Sequence, residues 1–254
     1  MFQNNYNFSS IILCGGLGTR ISEFTNKIPK PMIKIQNKPL IGYVLKKVLS
    51  SKCDNIILPL GYKGEIIKKY VKKEFKSDLS RINFFDTGKY TSVSNRIKKV
   101  KHKLLKYENF FLINGDTIFD ADLNKMVNFH VLNDNLLTLS YSDMTTTWGN
   151  FFLDKNNNIK KFSKNDRIEY IKPQSSNLKG YRNSGISLIN SKCLNNFNFN
   201  VIDFEVSLFN KYIKKKSNIM LYNLKLKLWY PIETINDYKS FNSNKELIKK
   251  LKKI

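Results

Sequence analysis

The apolar positions of the chain fall into short blocks that alternate between two periods. Residues 10–14, 55–60, 82–85, 110–113 and 136–141 are unbroken or nearly unbroken apolar runs of four to six residues. Runs of that kind predict strands buried on both faces. Between them, 39–49, 65–75, 94–107 and 123–132 repeat apolar residues every three or four positions, the spacing of a helix with one buried side. Pro39 stands where a first helical turn tolerates proline. Strands and helices in alternation predict an α/β fold whose central sheet is mainly parallel and covered on both faces. The stretch between the first strand and Pro39, which carries Pro29 and Pro31, reads as a long loop.

After about Trp148 the pattern changes. Residues 151–153 and 159–162 flank a polar turn and predict a hairpin, followed by a polar stretch over 166–182 and a strand over 185–189. Beyond these, 204–213 reads as a helix, 219–229 as one long strand with alternating Lys, and 246–253 as a terminal helix. Neither a repeat nor a long linker interrupts the chain, which predicts one domain over 1–254. Its halves divide at about 145, the second adding mixed strands that wall a second ligand site.

Composition narrows the classes. With 254 residues, 41% of them hydrophobic, the chain can bury a sizeable core. No apolar run approaches the roughly 20 residues of a membrane-spanning helix, and residues 1–10 are polar rather than signal-like, so a soluble cytoplasmic protein with no membrane partner is expected. Cys14, Cys53 and Cys193 are far apart and odd in number, which argues for reduced thiols and against a disulfide framework or a CxxC zinc site. His102 and His130 are too few for a histidine metal cluster. The net charge of +24 favours anions, but only five of the 44 basic residues are Arg, the side chain that reads bases and grips phosphate bidentately. No array of aromatics accompanies the lysines, so a nucleic-acid partner is not expected. A homo-oligomer is compatible with the sequence.

Candidate chemistry begins directly after the first strand, at Gly15-Gly16-Leu17-Gly18-Thr19-Arg20. Glycines there let backbone N–H groups approach a phosphate. The loop lacks the Gly-Lys-Ser/Thr ending of a P-loop, and Ile21 stands in the place of the third glycine of a dinucleotide fingerprint. Alone it is also compatible with an ordinary strand-to-loop turn. The continuation adds Thr25, then Pro29-Lys30-Pro31-Met32, then Lys38-Pro39-Leu40-Ile41.

This ordered string resembles the signature of the sugar-1-phosphate nucleotidyltransferases, which join a nucleoside triphosphate to a phosphorylated acceptor and release pyrophosphate. The resemblance implies a Rossmann-like nucleotidyltransferase fold with a nucleotide-binding half and an added, mixed-strand acceptor-binding half. It implies that Leu13, Gly15, Gly16, Gly18 and Thr19 hold the nucleotide and that Arg20 and Lys30 contact the triphosphate. Fixed cations would stabilise the charge that builds on the α-phosphorus without any protein nucleophile. Asn114-Gly115-Asp116 resembles the family's Gly-Asp magnesium motif, which assigns Asp116 to Mg²⁺ and Gly115 to the nucleotide; a hard cation takes carboxylate and phosphate oxygens. A second acid is expected in a Trp-x-x-x-Asp setting, where this chain has Trp229-Tyr230-Pro231-Ile232-Glu233, one methylene longer.

Asp86-Thr87-Gly88 and the segment through Arg96 are most similar to the glucose-1-phosphate cytidylyltransferase branch. That likeness implies CTP as the nucleotide, with Thr87 and Gly88 in contact with it. Val93-Ser94-Asn95-Arg96 replaces the branch's Thr-Gly-Gly-Arg, so a narrower or differently polar pocket is expected. The family's acceptor-phosphate lysine maps to Lys164 or to Lys172, and its sugar-contacting Asn-Gly-Gly to Asn183-Ser184-Gly185. These departures keep a phosphate grip and put hexose recognition in question, although a hexose 1-phosphate is the family default. Family members are associated with activating hexose 1-phosphates, phosphocholine or, in the capsular phosphoramidate pathway, L-glutamine phosphate, and chain length with the altered motifs favours the last. Trp148, His130 and Cys14 are expected to be structural.

Overall fold

The apolar runs of the first half form strands at the expected places in a computed structural model, which describes residues 7–142, 150–156, 158–163, 179–225 and 228–253. In chain order the first half contains β1 (Phe8–Leu13), a one-turn α1 (Ser22–Thr25), β2 (Lys34–Ile35), β3 (Lys38–Pro39), α2 (Leu40–Leu49) and β4 (Asn55–Leu60). It continues through α3 (Gly64–Glu74), β5 (Ile82–Asp86), α4 (Val93–Leu104), β6 (Asn109–Asn114), β7 (Thr117–Phe119), α5 (Leu123–Leu132) and β8 (Leu137–Ser142). The second half contains the hairpin β9 (Asn150–Leu153) and β10 (Ile159–Ser163), the long β11 (Lys179–Asn190), α6 (Phe204–Lys214), β12 (Ile219–Asn223), β13 (Trp229–Pro231), α7 (Ile235–Ser243) and α8 (Lys245–Leu251).

The nine-stranded sheet has the order β10-β9-β11-β6-β1-β4-β5, with β8 paired to β11 and β12 to β8. The β6-β1-β4-β5 block is parallel throughout, and β11 joins β6 antiparallel. The expected α/β architecture with a mainly parallel centre and a mixed-strand addition is therefore present. Neighbouring residues of the central strands go to opposite faces: Ile12, Ile56, Leu58, Phe111 and Ile113 pack on one side, Ile11, Ile57, Phe110 and Leu112 on the other. Each is at most 2% exposed, and at about 1.5–3 kcal/mol per fully buried large side chain this two-faced burial drives the assembly. It also explains why these strands read as unbroken apolar runs.

A third cluster lies apart from the main sheet. Ile21, Ile33 and Ile35 from the segment after β1 pack with Leu228, Ile232 and Phe241 from the chain's last thirty residues and with Leu247 and Leu251 of α8. The expected long loop is thus structured by α1, two 3₁₀ turns and the β2–β3 pair, and it is covered by the C-terminal helices.

Three expectations are corrected. The strand expected over 219–229 ends at Asn223, whose pairing with Tyr141 of β8 is the last of that ladder. Lys225 then takes a left-handed conformation with its N–H on the Asn223 side chain, and β13 pairs instead with β7 in a separate two-stranded sheet. The helix expected over 94–107 ends at Leu104. The C-terminal helix is preceded by an unanticipated α7, started by a capping box between Thr234 and Asp237.

Candidate active site

The chain leaves β1 for β4 and β5 on one side and returns through β6 on the other, so the strand order reverses between β1 and β6. In open α/β sheets, ligands bind outside the carboxyl ends of the strands at such a switch point. Leu13 and Asn114 are paired as the last residues of the two strands, which brings the glycine loop and Gly115-Asp116 out side by side. Gly115 donates its N–H to Leu13 O at 3.0 Å, and a Cβ there would stand 2.7 Å from that oxygen. Only glycine permits the approach. Gly18 has φ +68, a left-handed conformation that glycine adopts at no cost, while a Cβ on Gly16 would meet nothing within 4 Å.

Lys30 opens a 3₁₀ turn behind Pro29 and is only 8% exposed. A buried lysine needs a partner, and its Nζ lies 2.6 Å from Asp116 Oδ2. Lys30 is thus held against Asp116 rather than solvated. Glu233 comes from more than a hundred residues beyond Asp116. Pairing of Pro231 with Thr117 and a hydrogen bond from Ile232 N–H to Asp116 O at 3.3 Å place it beside the end of β6. Its own N–H is held by Asp237 Oδ2 at 3.0 Å. The Glu233 carboxylate, 7% exposed, accepts from Arg20 Nη1 at 2.5 Å, the Arg20 side chain otherwise facing outward.

Two cavities meet here. One of about 310 Å³ is lined by Gly15, Gly16, Gly18, Thr19, Lys30 and Arg96; one of about 500 Å³ by Asp116, Asp203, Phe204, Glu205 and Glu233. Leu13, Arg20, Val93, Asn114 and Asp116 border both. The arrangement sets two ion pairs, Lys30–Asp116 and Arg20–Glu233, along the two adjoining cavities. Asp116 and Glu233 are the carboxylates here that could serve a divalent ion as hard oxygen donors, and among the described residues no group of three His, Cys, Asp or Glu side chains is gathered. A cation held there would complete its shell with phosphate or water oxygens.

The remaining expected residues are placed as follows. Thr87 is fully buried, and its hydroxyl donates to Leu60 O at 2.6 Å and accepts from Arg96; Gly88, with φ +90, donates its N–H to Asp86 Oδ1. Neither lines the two cavities, and nor does Gly115. Asn183 is fully buried on β11, where the pairing with β8 slips between Asn183 and Ser187. Its Oδ1 accepts from Gly185 N–H at 3.0 Å, and its Nδ2 has no hydrogen-bond partner among the described residues. Lys164 and Lys172, and Trp148 with them, lie outside the described residues.

Sequence reasoning did not single out Asp203, Phe204 and Glu205, which form the cap and first turn of α6, and it gave Arg96 no role. The signal for Arg96 was present: it falls on the apolar stripe of α4 with Ile97, Val100 and Leu104, where a charge is out of pattern. Burial pushes the Cys14 thiol up to about 12, so it stays protonated and offers no nucleophile. Burial lowers His130 to about 4, and its ring bonds Thr138 and Asn109, a structural role.

Comparison with known proteins identifies the family. Over 217 residues the chain is 31% identical to the D-glycero-alpha-D-manno-heptose 1-phosphate guanylyltransferase of Campylobacter jejuni, covering 84% of this chain and 90% of that one. It is 31% identical over 159 residues to a probable glucose-1-phosphate cytidylyltransferase of Bacillus subtilis, covering 55% and 62%. The crystal structure of HddC from Yersinia pseudotuberculosis complexed with GMP-PN superposes with a TM-score of 0.72 at 23% identity, over 92% of this chain and 97% of that one. The family described as Nucleotidyl transferase matches residues 9–246. The chain belongs to the nucleotidyl transferase family, the family of the sugar-phosphate nucleotidyltransferases.

Proposed function

We propose that the chain transfers CMP from CTP to a phosphorylated small acceptor with release of pyrophosphate. The observation that carries the reading is the convergence of Lys30–Asp116 and Arg20–Glu233 on adjoining cavities at the β1/β6 switch point. An oxygen of the acceptor phosphate attacks the α-phosphorus, and the bond to pyrophosphate breaks. Lys30 and Arg20 neutralise the charge on the phosphoryl oxygens, and the loop's backbone N–H groups orient the chain of phosphates. No protein nucleophile is required. Asp116 and Glu233 would hold Mg²⁺, which when bound supplies further neutralisation of the phosphates.

Support for CTP comes from the cytidylyltransferase-like segment around Thr87 and from the Bacillus relative. GTP is the second reading, because the guanylyltransferase relative aligns over 84% of this chain. For the acceptor, L-glutamine phosphate for capsular phosphoramidate synthesis in the cytoplasm is favoured over a sugar 1-phosphate. The larger cavity carries Asp203 and Glu205 in addition to the two site acids, carboxylates that can pair with an amino acid's ammonium group, and the departures at Asn183-Ser184-Gly185 weigh against a hexose. Pyrophosphate release from CTP, GTP, UTP and dTTP with each acceptor tests the reading. We expect CTP with L-glutamine phosphate to be preferred, and Lys30→Ala and Asp116→Ala each to lose about a hundredfold or more in kcat. Full activity in both variants overturns the assignment.

A further inference from the structure

Arg96 is 3% exposed and reaches out of α4 beneath the glycine loop. Its Nη2 donates to Gly15 O at 2.7 Å and to Lys89 O at 3.3 Å; its Nη1 donates to Leu60 O at 3.2 Å and to the Thr87 hydroxyl. Gly15 follows β1, Leu60 ends β4 and Thr87 follows β5, so one guanidinium ties the carboxyl ends of three adjacent parallel strands together. The planar fork is what makes four simultaneous bonds feasible.

Two glycines are accounted for by this side chain. A Cβ on Gly15 would stand 2.5 Å from Arg96 Nη1, and a Cβ on Gly61 would collide with the same atom. Gly15 O accepts a further bond from Tyr62 N–H at 3.2 Å, so the carbonyl is held from two sides and the peptide that leads into Gly16 has a set orientation. All four acceptors of the guanidinium are uncharged, and burial lowers its pKa, yet an arginine stays protonated at neutral pH. Arg96 also lines the 310 Å³ cleft.

We propose that Arg96 is a positioning residue for the nucleoside triphosphate: by fixing the Gly15 carbonyl against the ends of β4 and β5, it holds the Gly15–Gly16 backbone in the form that receives the phosphates. This rests on the nucleotidyl-transfer reading above. Arg96 acts on nucleotide affinity through the loop, and it leaves the acceptor side of the site alone.

The test uses the full chain with two variants. Arg96→Lys keeps the charge but cannot span four acceptors; Thr87→Val removes one acceptor from behind the cleft. Steady-state kinetics with CTP and the acceptor varied in turn should show the KM for CTP raised about tenfold in Arg96→Lys, the equivalent of one good hydrogen bond, and raised less in Thr87→Val. The KM for the acceptor and kcat should stay within about twofold. If Arg96→Lys fails to melt cooperatively, Thr87→Val carries the same comparison. A KM for CTP within twofold of wild type, or a parallel rise in both KM values, overturns the proposal. A wild-type protein that releases pyrophosphate from no triphosphate defeats the transfer reading instead, and titration calorimetry of CTP on wild type and the variants then still decides the role of Arg96.

Discussion

Single residues of the glycine loop have separable jobs. Gly16 faces open space, so Gly16→Ala should unfold in urea within about 0.5 kcal/mol of wild type, yet raise the KM for the triphosphate if the missing Cβ serves ligand approach. Gly15→Ala should instead cost about 1–3 kcal/mol, because its Cβ is pressed against Arg96 and against Pro59 O at 2.7 Å. Equal stability losses in the two variants would contradict this division. The glycines were legible in the sequence as a loop after a strand, but their separate reasons were not: that of Gly15 depends on Arg96, 81 residues away. Lys30 shows the same limit. Its flanking prolines marked a constrained presentation, whereas its burial beside Asp116 follows from the packing of the whole loop under α7 and α8.

At the scale of elements, short pieces with no sequence period do much of the positioning. β7 and β13 have three residues each, too few to show alternation, and their pairing carries Glu233 to Asp116. The capping box of α7 adds the last constraint, since Asp237 Oδ2 accepts from the N–H groups of both Glu233 and Thr234. Asp237→Ala should therefore lower stability by about 1 kcal/mol and also reduce turnover, although Asp237 lines neither cavity. A loss of stability with unchanged kcat would separate the cap from the site. α5 makes a different tie. His130 joins it to Thr138 on β8 and Asn109 on β6 as a neutral ring, with a folded-state pKa lowered to about 4 from 6.5. The unfolded chain binds the proton first as pH falls. Stability from this group is complete above about pH 6.5 and declines toward pH 4, by about 2–3 kcal/mol at pH 4.5. Urea midpoints at pH 7 and pH 4.5 measure it, and His130→Gln should remove most of the difference.

For the molecule as a whole, binding at the switch point links function to stability. CTP with Mg²⁺ at about 100 times its Kd should stabilise the fold by about 2.7 kcal/mol, raising the melting temperature, and Asp116→Asn should abolish the magnesium-dependent part. An unchanged melting temperature at saturating nucleotide would argue against a site here. The amino-acid sequence by itself determined the alternation of strands and helices, the two-faced burial of the central sheet, and the glycine loop and Asp116 at strand ends, because each is written in local periodicity and turn chemistry. It also pointed to Glu233, though only through resemblance to a family. Which strands stand next to one another was left to the tertiary structure, as were the slip that seats Asn183 on β11, the splitting of 219–229 between two sheets and the path of Arg96 into the loop. Those outcomes are choices among distant partners of similar local character, and only competition for the shared core settles them.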